Sequence, residues 1–88
     1  MGNNEVTEIA KIFGEVLRAV RTERGITQEE LAFNAQVDRT FIYRLERGLR
    51  QPSISTVIRL AKALNISANE LVSKTEEKYA TSILTTRA

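Results

Sequence analysis

The stretch "TQEELAFNAQVDRTFIYRLERG", residues 27–48, contains two helix starts and two helix stops in a span too short for either helix to stand alone. Thr27 opens the first helix. Its hydroxyl is placed to accept from the backbone N–H of Glu30, the Glu30 carboxylate to reach back, and Ile26 to pack on Leu31, a capping box with a hydrophobic staple. Asp38 opens the second as a carboxylate at the positive helix end, with Val37 and Ile42 as its staple pair, and Gly48 closes it. The spacing predicts a helix over 28–35, a connection of about three residues and a helix over 39–47. Two short helices joined so tightly favour a crossing of about 90 to 120° over an antiparallel pair. A close crossing needs a small side chain, which Ala32 supplies, while Leu31, Ala35, Val37, Ile42 and Leu45 form the wedge that buries both helices.

Working outward, Ile9, Phe13, Val16, Leu17 and Val20 recur at helical spacing and predict an amphipathic helix over about 6–24, stopped by Gly25. Past the loop "LRQPS", Pro52 before Ser53 suits a helix entry. Ile54, Val57, Ile58, Ala61 and Leu64 then give a buried stripe on a helix over about 53–64, which Asn65 can end in the left-handed region. Ser67 with Glu70, flanked by Ile66 and Leu71, repeats the capping grammar and opens a last helix over about 68–74. From Thr75 the segment "TEEKYATSILTTRA" is rich in β-branched residues and weakly periodic, which reads as a frayed tail or a partner-bound extension. Phe33 and Phe41 are expected in or partly in the core. No alternating strand pattern of useful length survives, so the fold class expected is all-α, a compact five-helix bundle. Its divisions are a lead-in over 1–8, a domain over 9–73 and a tail over 74–88.

Eighty-eight residues suit one domain. Cysteine and histidine are both absent, which excludes disulfides, thiol chemistry and the usual zinc ligand sets. Without either residue no ordinary nucleophile–base pair can be built, so no enzyme, cofactor or metal site is expected. The lack of cysteine fits a reducing cytoplasm. No long apolar run and no basic flank followed by an apolar stretch indicate a membrane span or a secretory signal, so a cytoplasmic protein is expected.

The net charge of +2 is uninformative until it is divided along the chain. Residues 1–17 set one lysine against three glutamates, and residues 18–38 set three arginines against four acids, whereas residues 63–88 balance. Between them, residues 39–62 hold Arg39, Arg44, Arg47, Arg50, Arg59 and Lys62 against Glu46 alone, a local charge of +5. Such focusing points to a polyanionic partner. Arg39, Thr40, Tyr43 and Arg44 share roughly one face of the 39–47 helix. An α-helix fits the DNA major groove, and an arginine fork can make two parallel hydrogen bonds to O6 and N7 of guanine. Arg39 and Arg44 are therefore base-reading candidates, and Thr40 and Tyr43 can meet base edges or phosphates. Arg47 and Arg50, which flank Gly48, are phosphate candidates.

"TQEELAFNAQVDRTFIYRLERG" followed by "QPSISTVIRLAKALNIS" resembles the Cro/repressor-type, or Xre-like, helix-turn-helix family of bacterial and phage DNA-binding regulators over about residues 9–73. The resemblance implies a lambda-repressor-like bundle in which residues 28–35 bridge the groove and 39–47 enter it. It implies that Gln28, beside Thr27 at the helix start, contacts a phosphate, and that Arg21 pairs with Glu46 as scaffold. Where such proteins commonly carry a turn glycine this chain has Gln36, at an expected cost of about 1 kcal/mol. "VDRTFI" followed by "LERG" is similar to the small controller proteins of restriction-modification systems. The expected function is a transcriptional regulator that binds palindromic double-stranded DNA as a homodimer, with apolar residues of 66–84 (Leu71, Val72, Ile83, Leu84) as candidate dimer surface. The alternative is an antitoxin, whose tail would contact a toxin as protein partner.

Overall fold

The computed structural model describes residues 3–87, and the side chains of residues 8–84. Its helices are α1 (Asn3–Glu23), α2 (Gln28–Ala35), α3 (Arg39–Glu46), α4 (Ile54–Ala63) and α5 (Ala68–Arg87), with no strand among the described residues. Among the described residues no helix is long and apolar enough to cross a membrane.

The local starts and stops are those the side chains dictate. Thr27 accepts from the Glu30 N–H at 3.0 Å while the Thr27 N–H donates to the Glu30 carboxylate at 2.9 Å, closing the capping box. The Asp38 carboxylate accepts from the Thr40 N–H, and the Ser53 and Ser67 hydroxyls accept from the N–H groups of Thr56 and Glu70. Each satisfies an amide that has no partner inside its helix, typically stabilising by about 1 kcal/mol. Gln36 ends α2 in the left-handed region at φ 60° and ψ 45°, and Asn65 follows α4 at φ 60°. The Gln36 conformation closes the helix end: its own N–H and that of Val37 donate to carbonyls of the last turn of α2.

Leu17, Leu31, Ile42, Leu45, Leu60, Leu64 and Leu71 are fully buried at the centre of one core. Each contributes about 1.5–3 kcal/mol relative to an exposed position. Around this core α1 packs on α3 and α5, α2 on α3 and α4, and α4 on α5. Ala32 lies buried where α2 and α3 cross, as a close crossing requires.

Five expectations need correction. The frayed tail is helix: α5 continues through Arg87 and packs antiparallel on α1, with Tyr79 against the core, Ser82 donating to Glu8 and Lys78 facing Glu15 at 3.3 Å. At the other end, residues 1 and 2 of the expected lead-in lie outside the described residues, and α1 already runs from Asn3. The buried stripe of α4 is Val57, Leu60, Ala61 and Leu64; Ile54 and Ile58 lie on its flank and are 71% and 52% exposed. Phe33 is 81% exposed, because Leu31, Ala32 and Ala35 occupy the inward arc of α2. Leu71, a candidate for self-association, is instead a core residue.

Two glycines fix the height of α3 in the bundle. A Cβ on Gly14 of α1 would run into the Leu45 carbonyl oxygen and lie 2.8 Å from that of Glu46, so the two backbones touch. Gly48, at φ 72°, turns the chain away just after α3, and a Cβ there would meet the Lys11 backbone at 2.8 Å. The C-terminal end of α3 is thus clamped by α1. Its other end is left to project.

Candidate nucleic-acid interface

Arg39, Thr40, Tyr43 and Arg44 all remain exposed on α3, while Ile42 and Leu45 hold the opposite face in the core. Arg39, Thr40 and Tyr43 share a shallow recess of about 200 Å³ with Gln28, the first residue of α2. The starts of the two helices therefore meet at one surface, where the positive helix ends favour anions. Arg44 stands on the same exposed side of α3 but does not line that recess.

Beneath this surface lies a polar network that holds the pair of helices together. Arg21 of α1 grips Glu46 through two hydrogen bonds, from Nε at 2.5 Å and from Nη2 at 3.0 Å, and its Nη1 donates to the Ile26 carbonyl. The Glu46 side chain is 4% exposed, so its charge is desolvated and depends on this fork. Gln28 donates a third hydrogen bond, at 3.0 Å, to the same carboxylate. Expected as a phosphate contact, Gln28 is tied into the scaffold in this conformation, because Glu46 reaches the start of α2. The Thr27 hydroxyl is likewise occupied as an acceptor in its cap, with its own proton left to donate.

The two outer arginines are each laid on an aromatic ring. Arg47 donates from Nη1 to the Tyr43 hydroxyl at 2.8 Å, its guanidinium carbon 5.6 Å from the ring centroid. Arg50 lies 5.6 Å over Phe41, which is partly buried against the core. Such contacts contribute about 0.5–1 kcal/mol at exposed sites and restrict where each cation is presented. Neither pairing was anticipated from the sequence, although Tyr43 and Arg47 stand four residues apart, the spacing at which side chains meet on a helix. Arg59 and Lys62 do not join this surface: they line a separate recess of about 480 Å³ with Asn34, Ala35, Gln36 and Ala63. The basic segment read from the sequence thus divides between two places.

The chain and its fold have counterparts among known proteins. A family model described as helix-turn-helix matches residues 17–71. An uncharacterised HTH-type transcriptional regulator of Sinorhizobium fredii is 37% identical over 70 residues, covering 80% of this chain and 91% of that protein. The crystal structure of the restriction-modification controller protein C.AhdI from Aeromonas hydrophila is similar with a TM-score of 0.69 and 42% identity, over 70% of this chain and 94% of that one. A tetramer of the controller protein C.Esp1396I in complex with its natural 35 base-pair operator contains a chain similar at a TM-score of 0.75 and 28% identity, over 82% of this chain and 95% of that one. With its model match spanning more than half the chain, and with α2 and α3 crossing through a tight turn, this protein belongs to the helix-turn-helix family, in its Xre-like branch.

Proposed function

We propose that this chain is a sequence-specific transcriptional regulator of the restriction-modification controller type, which binds a palindromic operator as a homodimer and sets α3 in the major groove. The carrying observation is the exposed row Arg39, Thr40, Tyr43 and Arg44, raised on a helix whose other face is locked into the core. An α-helix with side chains is the width of the major groove, and guanidinium forks match guanine O6 and N7. Arg39 and Arg44 serve as the base readers, with Thr40 and Tyr43 beside them. Arg47 and Arg50 meet phosphates near the end of the helix, with Thr27 and Gln28 at the opposite end, Gln28 by releasing Glu46 or through its second amide hydrogen.

One domain of this size makes few contacts, so two copies on a two-fold site are the economical arrangement, with recognition helices about 34 Å apart. The exposed apolar residues Ile54, Ile58, Val72, Ile83 and Leu84 supply material for self-association. A controller protein similar to this one is found as a tetramer on its operator, which supports the oligomeric part of the reading. No observation favours the antitoxin alternative.

Selection of bound sites from a randomised duplex pool tests the proposal. The expected product is a two-fold symmetric site whose half-sites are centred about 10 base pairs, one helical turn, apart. Recovery of no preferred sequence would overturn it.

A further inference from the structure

Tyr43 of α3 and Arg47, the residue that caps its end, are exposed neighbours, and their contact has a direction. Arg47 is donor-only, so in the 2.8 Å contact the Tyr43 oxygen must accept. A phenol whose oxygen accepts from a cation has one proton left to give, and that O–H is polarised by the bond it already receives. Nothing on the protein takes the proton among the contacts described for Tyr43, and the ring edges the recess shared with Gln28, Arg39 and Thr40.

Resting on the reading of α3 as the base-contacting helix, we propose that Arg47 is a positioning residue that makes Tyr43 an obligate donor, and so a specificity determinant for base edges that present acceptors. Guanine offers N7 and O6 in the major groove, adenine N7 and thymine O4, whereas cytosine offers only a donor. Tyr43 paired with Arg47 therefore favours guanine, adenine or thymine at the position it touches and disfavours cytosine. Unpaired, the hydroxyl could turn to accept from cytosine as readily as donate to guanine. Arg47 thus acts on base choice without touching a base.

The two roles open to Arg47 separate cleanly by experiment. Site preferences are measured by selection from a randomised duplex pool for the wild-type chain, Tyr43→Phe, Arg47→Ala, Arg47→Lys and the Tyr43→Phe/Arg47→Ala double variant, with affinities at several salt concentrations. Tyr43→Phe is expected to flatten the preference at one base pair of each half-site, by about 3- to 10-fold, the value of one hydrogen bond. Arg47→Ala is expected to flatten that same position and leave the others intact. The double variant should be no flatter there than either single one, and Arg47→Lys, which keeps a cationic donor, should restore the preference in part. Both side chains are exposed, so thermal unfolding should not move. If Arg47→Ala instead weakens all duplexes by one factor with an unchanged preference, reduces the salt slope by about one and adds fully to Tyr43→Phe, then Arg47 is a phosphate contact alone and the inference is overturned. A flattened position different from that of Tyr43→Phe overturns it too. Failure of the wild-type chain to select any site is a different result: it removes the base-reading role of α3, and the inference with it.

Discussion

At the scale of single residues, the proposed function divides the surface into side chains that would read and side chains that hold. Arg39→Ala is expected to cost about 1–3 kcal/mol at a cognate site and to relax base choice, whereas Arg50→Ala should weaken all sequences evenly. Binding to cognate and random duplexes in parallel checks both, and equal losses on the two kinds of DNA for both variants would reverse the assignment. Arg21 behaves differently. It neutralises a carboxylate that is 4% exposed, so Arg21→Ala should lower stability in urea denaturation by about 3–5 kcal/mol, the cost of stranding a buried charge. The exposed row Arg39, Thr40, Tyr43 and Arg44 was legible because it needed only helical spacing and charge. The tie from Gln28 to Glu46 was not, because residues 18 apart in sequence meet only through the crossing of α2 and α3. Phe33 misled for a related reason: hydrophobicity says that burial would be favourable, while the arc occupied by Leu31, Ala32 and Ala35 decides which side is inside.

At the scale of elements, the helices that were easiest to read are those whose ends are chemical. Caps at Thr27, Asp38 and Ser67 act over three residues or fewer and carry from sequence to structure, and Ser53, read as the first residue of its helix, is the cap of α4. The length of α5 was illegible because its inward side is written in polar residues. Thr75 is buried by donating to the Leu71 carbonyl of its own helix, and Lys78 and Ser82 face Glu15 and Glu8 of α1, so no apolar stripe announces the packing. Ending the chain after Thr75 should therefore reduce stability by roughly 2 kcal/mol, through loss of the Tyr79 contact with the core. An unchanged denaturation midpoint would mean that α5 beyond Thr75 contributes nothing to the bundle. The clamp on α3 makes a sharper claim. Gly14→Ala should cost at least about 1–3 kcal/mol, since backbone rather than a flexible side chain stands in the way.

At the scale of the whole molecule, the modest net charge of +2 conceals a separation of roles. Four arginines cluster on α3 and the loop behind it, Arg59 and Lys62 face a recess elsewhere, and the flank of α4 with part of α5 exposes apolar residues, the surface proposed for a second copy. Phosphate neutralisation by such a cluster should make affinity fall linearly with salt on logarithmic axes, with a slope of about −0.9 for each phosphate contacted. The central claim, that α3 lies in the major groove with Arg39 and Arg44 on guanine, is tested most directly by replacing guanine with 7-deazaguanine at the preferred positions of a selected site. That change removes the N7 acceptor and little else. The wild-type chain should lose about 1 kcal/mol at each position read by a fork, and the Arg39→Ala or Arg44→Ala variant should lose nothing further at the position its arginine served. Equal losses in wild type and variants, or none in either, would place these arginines outside the groove and contradict the account.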